Sequence, residues 1–164
     1  MYDRILASAD PPKPVPRRTH LKPKVLFLCT GNSARSQMAE GYLRHAAGDR
    51  FEAISAGIQP KGLHPLAVQA MREIGIDIST QVSKDVITLL GQHIPYVVTV
   101  CDKAKERCPI FPSTWEFLHW SFEDPAGALG SQDERLAVFR RVRDEIIAKI
   151  DQRFVKADAG QERT

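Results

Sequence analysis

The stretch KVLFLCTGNSARSQMAEGYL, Lys24 to Leu43, passes from an apolar run through a polar loop into a helical pattern. Lys24 to Leu28 has the short, continuous apolar character of a parallel strand covered on both faces. Met38, Ala39, Tyr42, Leu43 and Ala46 recur at helical intervals, which predicts a helix over 36–47. Between them Cys29 stands at the strand's end, followed by Thr30, Gly31, Asn32, Ser33, Ala34 and Arg35, all small or polar until the basic residue. Strand, loop and helix in this order form the unit of parallel α/β sheets, whose ligands bind beyond the carboxyl ends of the strands.

The same alternation continues along the chain. Residues 51–55 and 116–120 read as strands, YVVTV at 96–100 as the clearest β-branched strand, and 64–74 as a helix. A last helix is predicted over 132–154, where Leu136, Phe139, Val142, Ile146, Ile147 and Ile150 keep helical spacing. The expected fold class is α/β, a three-layer α/β/α sandwich with a four-stranded parallel sheet. Trp115, Phe117, Trp120 and Phe122 are assigned to its core. Pro11, Pro12, Pro14 and Pro16 resist helix and sheet, so residues 1–22 are expected to be an extended arm, 23–156 the domain and 157–164 a flexible C-terminal tail.

At 164 residues the chain suits one well-buried domain. A formal charge of +3 favours anionic ligands mildly, and no dense Lys/Arg run with interleaved aromatics argues for a nucleic-acid surface. No apolar stretch reaches bilayer-spanning length and the first residues lack the apolar segment of a signal peptide, so a cytoplasmic monomer without membrane contact is expected. Histidines 20, 45, 64, 93 and 119 show no metal-ligand spacing, and neither a metal nor a bound cofactor is expected. Three cysteines cannot all pair within one chain, which leaves thiols that are reduced, reactive or merely buried.

The loop after the first strand gives Cys29 a chemical reading. Successive backbone N–H groups in a tight loop at a helix N-terminus hold a tetrahedral oxyanion, and Arg35 adds a bidentate clamp. The same donors are expected to lower the Cys29 pKa below the free value of about 8.5, with Ser36 giving one more hydrogen bond. A cysteine ending an apolar strand is also a common small hydrophobe; the combination with Gly31, Asn32, Ser33 and Arg35 favours the nucleophile. Cys101 and Cys108 stay open between a buried strand-end cysteine, a bystander and a reactive pair. Across a continuous helix their Cα atoms would stand about 10 Å apart, beyond the roughly 4.4–6.8 Å of a disulfide. A bond between them requires 101–108 to unwind, and the charged run Asp102 to Arg107 allows this without dismantling the core.

Cys29 to Ser36, CTGNSARS, resembles the anion loop shared by low-molecular-weight protein tyrosine phosphatases and thioredoxin-coupled arsenate reductases. QMAEG at 37–41, SAG at 55–57, VTVC at 98–101, CPIFP at 108–112 and HWSFEDPAG at 119–127 resemble the reductase branch. The resemblance spans about Lys24 to Phe154 and implies the phosphatase-like fold. It further implies that arsenate, with phosphate or sulfate as analogues, is held by Thr30, Gly31, Asn32, Ser33, Ala34, Arg35 and Ser36. Cys29 is then the nucleophile, Cys101 attacks Cys29 to release arsenite, and Cys108 attacks Cys101 to leave a disulfide for an external thiol reductant, thioredoxin or glutaredoxin. Lys103, Lys105 and Arg107 are expected to lower nearby thiol pKa values. Asp124 is implied as general acid, its carboxyl raised by a neighbouring oxyanion and thiolate; its bland counterpart is an Asp-Pro turn.

Three departures from the phosphatase branch bear on substrate. Ala34 stands in a loop that there carries a second cysteine, and Pro125-Ala126 follow Asp124 where a tyrosine is usual; Ser33 replaces a bulky apolar residue. All weaken recognition of a phosphotyrosine ring; the alternative enzyme is a low-molecular-weight protein tyrosine phosphatase or small aryl-phosphate phosphatase, and the alternative of another class is a non-catalytic oxyanion-sensing thiol switch. Several reductases of this kind bind potassium beside the loop. Asn32, Glu40 and Ser55 match that ligand set, but Val82 and Lys84 stand where Thr and Asp would be, so the Lys84 ammonium is expected to replace the cation against Glu40.

Overall fold

The computed structural model describes residues 21–157. Residues 1–20 of the expected arm and 158–164 of the expected tail lie outside them. Lys22 already meets the domain, its ammonium donating to the Gly48 carbonyl at 2.6 Å.

Four parallel strands, β1 (Lys24–Cys29), β2 (Glu52–Gly57), β3 (Tyr96–Thr99) and β4 (Glu116–His119), lie in the order β2-β1-β3-β4. Helices α1 (Arg35–Ala47), α2 (Pro65–Arg72), α3 (Asp102–Arg107) and α4 (Gln132–Ile150) connect or follow them. Val25, Leu26, Phe27 and Leu28 are all fully buried, which requires cover on both faces of β1 and makes the sandwich three-layered. α1 packs on β1, β2 and α4, α4 also on α2, and α3 lies against β1 and β3. Phe139, Ile146 and Ile150 of α4 and Met38 and Leu43 of α1 are buried; each such side chain removed from water stabilises by about 1.5–3 kcal/mol.

The chain turns one way from β1 to β2 and the other way to β3, so the carboxyl ends of β1 and β3 flank the switch point. Cys29 ends β1 and Cys101 follows β3 directly. Topology alone therefore brings together two of the three cysteines.

The predicted elements all form, with physical reasons for the differences. α2 stops at Arg72 because Gly75 takes φ 81°, letting Gly75 N–H donate to Arg72 O and Ile76 N–H to Met71 O. The last helix ends at Ile150 and continues as one wider π-type turn over Asp151–Val155. There Lys156 N–H donates to Asp151 O, the Tyr42 hydroxyl donates to Asp151 Oδ1 at 2.6 Å, and Phe154 reaches an edge-on cluster with Phe51, Tyr96 and Trp120. Trp120 and Phe122 are buried as expected, but Trp115 is 68% and Phe117 50% exposed. β4 is an edge strand, and Trp115 lies outside it with its ring edge-on to Tyr96 and His93. The assignment of these two residues to the core is thus corrected.

Candidate active site

Four bonds shape the loop after β1. The carbonyls of Cys29, Thr30, Gly31 and Ser33 accept from the amides of Ile58, Gln59, Lys61 and His64 at 2.8–3.2 Å. In a trans peptide the N–H of the next residue points opposite to that carbonyl, so the amides of Thr30, Gly31, Asn32 and Ala34 turn away from the 58–64 segment. α1 begins at Arg35 behind Ala34, which offers no side-chain cap, so its first-turn amides remain donors for whatever enters. The close fit of loop to β2 explains the glycine of the SAG motif. A Cβ at Gly57 would lie 2.8 Å from Thr30 O and 2.9 Å from Asn32 N.

Asn32 holds the loop from within. It is fully buried, with φ 45° in the left-handed region that asparagine tolerates better than most residues. Its amide nitrogen Nδ2 donates to Ser36 Oγ at 2.8 Å and Ser55 Oγ at 2.9 Å, while Oδ1 accepts from Lys84 N–H at 2.9 Å and Gln37 Nε2 at 3.1 Å. Its backbone N–H donates to Cys29 Sγ at 3.1 Å, and Ser36 Oγ lies 2.8 Å from the same sulfur. The Ser36 contact expected from the sequence is present.

The direction of the Cys29 pKa is a correction. Burial pushes the thiol up and outweighs the Ser36 hydroxyl, the Ser36 and Asn32 amides and the Arg35 charge, which all pull it down. Donors are visible in a sequence; the depth at which they sit is not. Cys108, half-buried at the end of α3, is pushed up to about 11 by burial, so the expected lowering by Lys103, Lys105 and Arg107 does not reach it.

Cys29, Arg35, Cys101 and Asp124 line one cleft of about 450 Å³, with the loop residues Thr30, Gly31, Ser33 and Ala34. Arg35 is anchored by donating Nη1 to Phe122 O at 3.0 Å, and its Nη2 stands 3.7 Å from Asp124 Oδ2 at the mouth. Asp124 also caps the turn Pro125–Gly127 through Ala126 N–H at 3.1 Å, so the bland Asp-Pro role and a place at the cleft coexist. Glu123 turns away to pair with Arg141. Cys101 Sγ lies 3.4 Å from Thr30 Oγ1. Cys108 is not brought in: α3 occupies the interval, ends at Arg107 and leaves Cys108 extended before Pro109, with its thiol on Pro109 O at 3.4 Å. All three cysteines are free thiols.

The sequence carried no signal for Lys61, which also lines the cleft. Its N–H bonds Gly31 O, and its side chain lies across that glycine, 3.4 Å from where a Cβ would stand. Only its position past the carboxyl end of β2, beside β1, could have pointed to it.

The residues that would hold potassium do not fit a cation. The Glu40 carboxylate is engaged by Arg44 at 2.5 Å, by the Ser55 hydroxyl at 2.5 Å and by the Lys84 ammonium at 3.9 Å, and Asn32 turns donors, not acceptors, toward Ser55. Arg44 and Lys84 thus bring two positive charges to this buried carboxylate. Among the described residues no group of His, Cys, Asp or Glu is arranged to hold a metal ion, and no helix is long and apolar enough to cross a membrane.

The family model of low molecular weight phosphotyrosine protein phosphatase matches residues 24–161. An arsenate reductase of Halalkalibacterium halodurans is 53% identical over 129 residues, covering 79% of this chain and 93% of that protein. Among solved structures, an arsenate reductase in its phosphate-binding state is similar at TM-score 0.66 and 32% identity, covering 79% of this chain and 95% of that one. A thioredoxin-dependent arsenate reductase of Corynebacterium glutamicum is similar at TM-score 0.54 and 31% identity, covering 80% and 65% respectively. The chain belongs to the low molecular weight phosphotyrosine protein phosphatase family, and within it to the arsenate reductases.

Proposed function

We propose that the protein reduces arsenate to arsenite by passing two electrons through Cys29, Cys101 and Cys108 in turn. The observation that carries this reading is the meeting of Cys29, Arg35 and Cys101 in one cleft whose loop amides face inward. The loop and Arg35 bind the oxyanion, and the Cys29 proton leaves to an oxyanion oxygen as the sulfur attacks arsenic. A second oxygen departs as water with a proton from Asp124, giving a thiol-arsenate adduct. Cys101 then attacks Cys29 Sγ: the Cys29–Cys101 disulfide forms, the pair of the S–As bond stays on arsenic, and arsenite leaves. Cys108 attacks Cys101, Cys29 departs as thiolate, and the Cys101–Cys108 disulfide is returned to two thiols by an external dithiol, read as thioredoxin because the similar Corynebacterium glutamicum enzyme is thioredoxin-dependent.

The test mixes the full chain with arsenate, thioredoxin, thioredoxin reductase and NADPH. NADPH oxidation that depends on arsenate and yields arsenite supports the reading. Hydrolysis of an aryl phosphate without arsenate-dependent oxidation would replace it by a phosphatase, and arsenate binding without either reaction by an oxyanion sensor.

The Glu40 site adds a second expectation. Because Lys84 and Arg44 already neutralise Glu40, turnover is expected to agree within about twofold between sodium and potassium buffers of equal ionic strength. Potassium stimulation beyond that would show that a cation does enter.

A further inference from the structure

The relay requires α3 to open, since its two ends carry Cys101 and Cys108 about seven residues and therefore about 10 Å apart. On its own α3 has little to hold it. It is six residues long, well below what persists in water unaided, and buries only Ala104. Cys101, its N-cap, gives no side-chain cap to the first turn.

Asp102 ties that turn to the end of β4, mainly through His119 and also through Ser121. His119, the last residue of β4, is paired in register with Thr99 of β3, and the Trp120 N–H to Thr99 O bond at 2.8 Å fixes the strand end beyond it. Thr99 Oγ1 lies 2.8 Å from His119 Nδ1, and His119 Nε2 lies 2.9 Å from Asp102 Oδ1 on the first residue of α3. A carboxylate only accepts, so Nε2 carries the hydrogen toward Asp102 and Nδ1 accepts the Thr99 hydroxyl when the ring is neutral. The contact holds Asp102 below the usual carboxylate range, mainly through the His119 bond with help from Ser121. Thr99 is fully buried, so the ring has a rigid anchor, whereas Asp102 is exposed and its element is the one able to move.

We propose that His119 is a positioning residue that latches α3 closed through Asp102, and so sets how often Cys108 reaches Cys101. This rests on the relay of the previous subsection for its chemistry, but the latch itself can be read without arsenate. Glutamine can place an amide hydrogen where Nε2–H stands, and asparagine can occupy only the Nδ1 side. His119→Asn should therefore keep the Thr99 partner and lose Asp102, while His119→Gln should keep Asp102.

Hydrogen exchange of the reduced full chain reports on this at Lys105, whose N–H donates to Cys101 O at 3.2 Å in the closed helix. His119→Asn is expected to exchange there about tenfold faster than the wild type and His119→Gln within about twofold of it, as loss of one hydrogen bond to a charged group implies. In a quenched single turnover with arsenate, conversion of the Cys29–Cys101 to the Cys101–Cys108 disulfide should accelerate in His119→Asn and not in His119→Gln. Unchanged exchange in His119→Asn, or equal acceleration by both variants, would overturn the latch, the second because it marks a general loosening of β4. If His119→Asn does not fold, Asp102→Ala removes the same bond together with the Ser121 bond and a first-turn acid, and must speed Lys105 exchange beyond the about fivefold that loss of the acid alone gives. Faster exchange in a protein that reduces no arsenate would keep the latch and remove the relay.

Discussion

Cys29→Ser is expected to lower arsenate turnover by about 10⁴-fold or more, the range in which loss of a nucleophile falls, while sulfate binding stays within about threefold of the wild type. The serine hydroxyl fits the space, because Cys29 is buried at the base of the loop and its neighbours Ser36 Oγ and Asn32 N–H are hydrogen-bonding groups that an oxygen also satisfies. What oxygen cannot do is the chemistry. Its proton is far harder to remove than a thiol's, and an ester oxygen on arsenic gives Cys101 no sulfur to attack, so no electron pair can be left behind. On the proposed reading the oxyanion is held by the amides of the loop and by Arg35; of these only the Asn32 N–H touches the side chain of residue 29, and a serine oxygen accepts from it as the sulfur does. Arsenate-dependent NADPH oxidation measures the first effect and calorimetric titration with sulfate the second. Multiple turnovers in Cys29→Ser would refute the nucleophile, and lost sulfate binding would mean that the sulfur shapes the loop.

The loop was legible in the sequence because its information is local. An apolar strand, a run of small and polar residues and a helical pattern in immediate succession dictate where Cys29 and Arg35 stand, whatever surrounds them. Cys101 was placed at a carboxyl end for the same reason, by the β-branched run before it. Three features were hidden, each for a different physical reason. The upward pKa of Cys29 depends on burial, which is set by everything packed over β1. Lys61 joins the cleft only because β2 lies beside β1. α3 is too short and too charged to show a hydrophobic period, with one buried side chain in six residues, so neither its extent nor the His119 tether could be read from spacing. The exposed Trp115 and Phe117 fail in the other direction: an aromatic residue reads as core until the sheet is known to end at β4.

Cys108→Ser is expected to release arsenite once and then stop, with steady-state turnover down by about 10²-fold or more and a Cys29–Cys101 disulfide accumulating. The reason is access. Cys29 is 2% and Cys101 5% exposed, so a disulfide between them would be closed to an external dithiol, which must bring its own sulfur into line with the bond it breaks. Cys108 stands half-exposed beyond the far end of α3 and is the one thiol that can carry the oxidation outward. Its thiol, held up at about 11 by burial, is a poor nucleophile while α3 is closed. On the proposed relay, a movement that brings Cys108 to Cys101 takes it out of its half-buried place and is expected to lower its pKa as it approaches. A rapid-quench experiment with a burst of one arsenite per chain, followed by peptide mapping of the disulfide, checks both halves. A full burst with continued fast turnover would show that thioredoxin reaches the Cys29–Cys101 bond directly, and the absence of any burst would place Cys108 before arsenite release rather than after it.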